Sequence, residues 1–199
     1  MLRSNMSRRG LLGLGLAAGG GILLPRVSLA DATSLPLTPV CADGDEPTPA
    51  QTEGPYFTPN SPERTNFIID GIDGERISLV GFALDRQCRP IPNALLDLWH
   101  ANDSGEYDNQ GYRLRGHQFT DAAGRFAFET IVPGLYPGRT RHFHVKVQAP
   151  GGDILTTQLY FPGEAGNDRD GIFNSALLLD LQPADAGQIG RFDFVLDRT

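Results

Sequence analysis

The sequence predicts an all-β sandwich of the immunoglobulin/transthyretin-like kind, with an irregular N-terminal arm and long loops. Three observations predict it. The 199 residues include 24 Gly and 15 Pro, so turns are frequent and long helices disfavoured. Apolar and polar residues alternate over several short runs, the period of a strand with one face covered. Turn signals separate these runs at short intervals, and no repeat or low-complexity tract interrupts them. The length suits one domain with a core of its own.

The first thirty residues stand apart. Ser7-Arg8-Arg9-Gly10-Leu11-Leu12 pairs two arginines, a Gly/Ala/Leu run follows to Leu24, and Ser28-Leu29-Ala30 offers small residues for cleavage. That order reads as a twin-arginine export signal over residues 1–30, with the folded domain at 31–199 and a periplasmic or extracellular destination. A membrane anchor is the alternative. The apolar run is short and glycine-rich for a span, so cleavage near Ala30 and no lasting membrane insertion are expected. Subtracting Arg3, Arg8, Arg9 and Arg26 from the 17 basic residues leaves 13 against 24 acidic ones, a net charge of −11. Nucleic acid is a poor partner for such a surface. Cys41 and Cys88 are the only cysteines, and in an oxidising compartment they are expected to form a disulfide.

Residues 31–50, rich in Pro, Thr, Asp and Ala, read as the irregular arm. Gln51-Thr52-Glu53-Gly54-Pro55-Tyr56-Phe57 is a Gly-Pro turn bearing two aromatics. Strands are expected at 76–85 (RISLVGFALD), 94–101 (ALLDLWHA), 125–131 (RFAFETI), 142–148, 155–161 and 191–196. Asp121-Ala122-Ala123-Gly124 is a tight turn between Gln118-Phe119 and the strand at 125. Periodicity leaves 175–181 undecided between strand and helix.

The chemistry concentrates at 131–148, IVPGLYPGRTRHFHVKVQ. Residues two apart on a strand share a face, so His142 and His144 point the same way and can hold one metal. Of the other histidines, His100 beside Trp99 reads as a packed residue and His117 as a solvated loop residue. No glutamate or further histidine follows in the cupin pattern, so the remaining ligands are oxygen donors. Tyr136, between Leu135 and Pro137, can approach the same point. A phenol ionises near neutral pH only beside a strong Lewis acid, and Fe(III) is hard, highly charged and suited to anionic oxygen.

These pieces resemble the intradiol ring-cleavage dioxygenases. The resemblance runs over about residues 48–161: Gln51 to Tyr56; Leu98-Trp99-His100-Ala101-Asn102 through Gly105-Glu106-Tyr107; Thr120-Asp121-Ala122-Ala123-Gly124 through Gly134-Leu135-Tyr136-Pro137; Arg139-Thr140-Arg141-His142-Phe143-His144; and Thr157-Gln158-Leu159-Tyr160-Phe161. It implies one Fe(III) per chain, held by Tyr107, Tyr136, His142 and His144. Tyr107 would stay bound through turnover and Tyr136 would leave as substrate arrives. Arg139 would be a cation beside the substrate ring and Gln158 its hydrogen-bonding partner. Glu53, Gly54, Pro55 and Tyr56 would line the mouth. Tyr56, Arg113 and Arg115 are candidates for meeting ring substituents. The implied activity is O2-dependent cleavage of a catechol-type ring between its two hydroxyls, giving a muconate-type diacid. Arg141 stands where many relatives carry proline, and the long helical dimerisation region of cytoplasmic relatives is missing, which leaves any homo-oligomer open.

One alternative needs no chemistry. Residues 85–136, with TDAAGRFAFETIVPGLY, also resemble carboxypeptidase-regulatory-like and transthyretin-like binding modules, which keep that turn for folding alone. Such modules have no need of Tyr107, the histidine pair and Gln158 together.

Overall fold

The structure, a computed structural model, describes residues 46–69 and 71–197. The export segment at 1–30 and Cys41 lie outside the described residues; Cys88 is disulfide-bonded.

Two sheets form the sandwich. One runs β4 (Arg125–Ile131), β1 (Arg76–Asp85), β8 (Gly187–Arg191), β7 (Asp180–Ala184), with β9 (Phe194–Leu196) also on β1. The other runs β3 (Arg115–Phe119), β2 (Leu95–Trp99), β5 (His142–Gln148), β6 (Ile154–Tyr160). The strands at 76–85, 125–131 and 142–148 fall where alternation placed them.

Two expectations are corrected. The single strand expected at 191–196 is two strands, both parallel to β1: β8 pairs with Ile77 to Val80 and β9 with Ala83 to Asp85. Between them the chain jogs at Phe192 and Asp193, where Phe192 N donates to Val80 O and Asp193 Oδ1 accepts from Phe82 N. Gly81 faces the jog, and a Cβ there would stand 1.8 Å from Phe192 O. His117 is not in a loop but in β3, where its Nδ1–H donates to Ser61 O at 2.8 Å. The run 175–181 is a 3-10 turn at Ser175–Leu177 followed by β7, which carries Pro183 at the sheet edge, where a missing N–H is tolerated.

The core lies between the sheets. Ile77, Leu79, Phe126, Phe128, Ile131 and Phe194 come from one sheet; Leu96, Leu98, Phe143, Val145, Val147 and Leu159 come from the other. Residues 61–68 close one side, bridging β3 through Glu63 and His117 and β4 through Asn66 and Glu129. Alternation then turns His142, His144 and Lys146 away from the core. Yet both histidines are buried, because the arm covers them: Gln51 N donates to Thr156 O, and Thr157 Oγ1 donates to Pro49 O.

Candidate metal centre

The outer face of the four-stranded sheet is ordered in cross-strand rows. Arg115 pairs with Trp99, Trp99 with His144, and His144 with Gln158. The next row adds His142 opposite Tyr160. Side chains of one row share a face, so strand register alone brings two imidazoles, an indole, a guanidinium and an amide together.

Each imidazole is oriented. His142 Nδ1–H donates to Thr140 O at 2.6 Å, which leaves its Nε2 with a free lone pair. His144 lies flat on Trp99, ring centroids 5.0 Å apart and planes 11° apart, and Gly54 packs against its edge. The two Nε2 atoms are 3.1 Å apart. Burial lowers the His142 pKa to about 4 and holds that of His144 well below its ordinary value, so both rings are neutral at pH 7, the state that ligates metal.

The phenols arrive on two loops packed backbone to backbone. Gly134 N donates to Asn102 O at 2.7 Å, and a Cβ on Gly105, at φ +86°, would stand 2.2 Å from Leu135 O. That contact fixes Tyr107 relative to Tyr136, ring centroids 6.0 Å apart. Tyr107 Oη lies 3.3 Å from His142 Nε2. Burial pushes its pKa up above the ordinary phenol value, opposed by the charges of Arg139 and Arg115. Such a phenol gives up its proton only to a strong Lewis acid. Tyr56, from the arm, stacks on Tyr107 at 4.6 Å and shares a 2.8 Å hydrogen bond with Tyr136 Oη, the main cause of its own raised pKa.

Beside the rings lies a clamp. Arg139 Nε donates to Asp170 Oδ2 at 2.8 Å and Nη2 to Gln158 Oε1 at 2.6 Å. Gln158 Nε2 donates in turn to Thr52 O, and Asp170 also accepts from Thr140 N. Tyr160 Oη donates to Gln51 Oε1. Asp170 and Trp99 were not singled out as site residues from sequence. Asp170 is 31 residues from its arginine, and no local pattern marks the pairing.

The structure thus brings Tyr107, Tyr136, His142, His144, Arg139, Gln158 and Tyr56 into one cluster. Glu53 is held at its edge by Lys146, at 2.5 Å, and Pro55 is exposed. Arg113 reaches Gly71 O, away from the rings, and Arg115 lies beneath them on backbone carbonyls. Among the described residues no group of three or more His, Cys, Asp or Glu gathers; the donors are two neutral imidazoles and two phenols. That set fits a hard trivalent ion better than a soft divalent one.

A family described as "Dioxygenase" matches residues 52–198. The hydroxyquinol 1,2-dioxygenase of Nocardioides simplex is 31% identical over 194 residues, covering 78% of this chain and 66% of its own. The catechol 1,2-dioxygenase of Acinetobacter baylyi is 30% identical over 146 residues, 59% of this chain and 47% of its own. The chain therefore spans between about half and two thirds of these relatives. Among solved structures, the dioxygenase domain of a dioxygenase carbohydrate-binding protein fusion from Streptomyces sp. SirexAA-E superposes with a TM-score of 0.76 at 53% identity. The match covers 77% of this chain and 100% of that one.

Proposed function

The chain belongs to the intradiol ring-cleavage dioxygenases, and from that premise we propose that it binds one Fe(III) and cleaves a catechol-type ring between its two hydroxyls with O2, giving a muconate-type diacid. One observation carries the reading: two phenols and two neutral imidazoles converge on the outer face of one sheet, with a clamped arginine beside them. Tyr107, Tyr136, His142 and His144 would hold the iron. An Fe(III) held there would supply the Lewis acidity that acidifies a diol and activates its ring toward O2.

The protein's own groups do the rest. Tyr136 Oη would accept one of the diol's two protons, and Tyr56 Oη, 2.8 Å away, would hold the resulting phenol by a hydrogen bond. Arg139 presents a cation to charge developing on the ring, fixed in place by Asp170 and Gln158. The arm excludes water from the imidazoles. The relatives' names support substrates of the catechol and hydroxyquinol type. Arg8-Arg9 and the run after them support export by the twin-arginine route.

The test is the visible spectrum of iron-loaded protein, with and without catechol under anaerobic conditions. Wild type should show a phenolate-to-iron band. Tyr136→Phe should lose part of it, and turn over slowly because that proton acceptor is gone. Tyr107→Phe should alter the band of the substrate complex as well. Tyr112→Phe should change nothing, since Tyr112 is exposed and donates to Pro59 O. A colourless protein carrying stoichiometric zinc or copper from iron-replete growth would refute the iron assignment.

A further inference from the structure

Tyr107 is carried on a loop backed by a cavity rather than by packed core. The cavity, about 370 Å³, is lined by Ile72, Asp73, Asn102, Tyr107, Arg113 and Leu114 among others. Side-chain packing therefore gives the loop little support from behind, and its own hydrogen bonds must set its shape.

On the near side of Tyr107 those bonds meet at one residue. Asn102 Oδ1 accepts from Ser104 N at 3.0 Å and from Glu106 N at 2.9 Å. Asn102 N donates to Glu106 O at 2.8 Å, and Asn102 O accepts from Gly105 N at 3.1 Å. Residues 102–106 thus form a closed turn that ends at the residue before the phenol. Past the phenol, the Asp108 carboxylate accepts from the N–H groups of Gln110, Gly111 and Arg113.

The same turn seats the loop of the other phenol. Asn102 O also accepts from Gly134 N at 2.7 Å. Neither backbone has room to spare there: a Cβ on Gly134 would stand 2.3 Å from Asp103 O and 2.4 Å from Gly105 N. A turn that opened at 102 would displace both loops together. The side chain at 102 must offer an acceptor that reaches two N–H groups, two and four residues on. Asparagine and aspartate offer it. Serine offers only the weaker bond two residues on, and alanine offers none.

We propose that Asn102 is a positioning residue of the metal site: its side-chain oxygen closes the turn that aims the Tyr107 ring, and its carbonyl seats the Tyr136 loop on that turn. This rests on the iron reading of the site. It accounts for how two phenols from separate loops keep one spacing when one of the loops has a cavity behind it.

The experiment compares wild type with Asn102→Ala, Asn102→Ser and Asn102→Asp. In metal-free protein, amide exchange at Ser104 and Glu106 should be slow in wild type and in Asn102→Asp. It should quicken roughly tenfold in Asn102→Ala, as the loss of one net hydrogen bond implies. With iron loaded, Asn102→Ala should lose affinity by about tenfold in chelator competition, as when other outer partners of metal ligands are removed. Its phenolate-to-iron band should weaken and broaden, because the ring is no longer held to one angle. Asn102→Asp restores the acceptor and should keep the band and nearly all the affinity. Should Asn102→Ala not fold, Asn102→Ser takes its place, with the same changes in smaller measure. Equal exchange in wild type and the variant without the acceptor overturns the proposal. So does an aspartate variant that behaves like the alanine one. A merely structural residue would lower the unfolding midpoint and leave the band of the folded, iron-loaded protein unmoved, and that result overturns the proposal too. Amide exchange needs no iron, so it tests the turn by itself; a wild-type protein that takes up iron with no visible band overturns the iron reading instead.

Discussion

On the inner face of the four-stranded sheet, Leu96, Leu98, Phe143, Val145, Val147 and Leu159 meet the opposite sheet; on its outer face, Trp99, Arg115, His142, His144 and Gln158 meet the arm and the two tyrosine loops. Both sets are buried. The inner set is covered by strands whose own apolar faces need covering, so its burial lowers free energy by removing apolar surface from water. The outer set is covered by irregular chain, and each polar atom must find a partner or remain unsatisfied. Several do not: Trp99 Nε1, Arg115 Nη2 and His144 Nδ1 are buried without one. The same strands thus make stability on one side and a strained polar layer on the other. Function occupies the side where folding gains less.

The sharpest break of this comparison is a pair of neighbours on β5. His144→Ala should abolish stoichiometric iron binding, a loss of at least 100-fold in affinity, while the metal-free protein stays folded, since the change removes a buried, half-satisfied ring. Phe143→Ala, one residue away on the inner face, should cost about 3–5 kcal/mol of stability by leaving a cavity. In whatever fraction stays folded, iron affinity should change far less. Urea unfolding with and without iron separates the two. If Phe143→Ala lost iron while keeping its unfolding midpoint, the two faces would not be independent.

How much of each face could be read from sequence follows the same division. Inner-face strands announce themselves by alternation: RISLVGFALD, RFAFETI and HFHVKVQ all fall where expected. Strands with little apolar signal do not. RGHQF on β3 carries one exposed phenylalanine and nothing else apolar, and DLQPA on β7 carries a proline, so neither alternates visibly. The jog at Phe192 and Asp193 depends on Gly81, more than a hundred residues away, and leaves no local trace. In the site, the histidine spacing and the tyrosines were legible because the proposed ligands are side chains with recognisable chemistry. Asp170 was not, and Arg115 was named only as a candidate for meeting ring substituents, not for the backbone contacts that it makes. Asp170 acts through a distant pairing, and Arg115 acts through carbonyls that every residue carries.

Next in size is an acid response of the buried histidines: His142 and His144 lie in the outer layer, while His100 packs on the inner side against Phe143, its Nε2 2.7 Å from Thr130 Oγ1. Burial lowers the pKa of His142 to about 4 and of His100 to about 3, and holds His144 well below its ordinary value. The folded state therefore keeps these rings neutral, while the unfolded chain takes up protons below about pH 6.5. Their contribution is complete above that pH and is lost as pH falls through the window from about 6.5 to about 3. For His142 alone the loss approaches about 3 kcal/mol by pH 4, at about 1.4 kcal/mol per unit. Urea midpoints of metal-free protein should fall across this window, and iron should resist the fall by occupying the same nitrogens. A His142→Asn variant should flatten the slope by about one proton; an unchanged slope would place the response elsewhere.

The smallest effect belongs to the rim of the outer face. Glu53 pairs with Lys146 at 2.5 Å; Lys146 also lies 4.6 Å from the Phe57 ring centre, and Phe57 packs on Trp99 at 4.9 Å. This chain of contacts ties the arm to β5 two residues beyond His144. Glu53 is 44% exposed, so the pair is screened by water and salt and is worth about 1 kcal/mol at most. The arm's backbone bonds to Thr156 and Val195 hold it regardless. Glu53→Gln should therefore lower stability by less than about 1 kcal/mol, with the difference vanishing in high salt. Iron content should be unchanged, and turnover should shift by a few-fold at most, in KM rather than kcat, since the mouth loosens while the ligands stay. Lys146→Met should behave alike in salt but lose somewhat more, because the cation over Phe57 goes too. A Glu53→Gln enzyme that holds iron yet loses kcat outright would mean that Glu53 turns inward to meet substrate, and that the rim belongs to the site rather than to its cover.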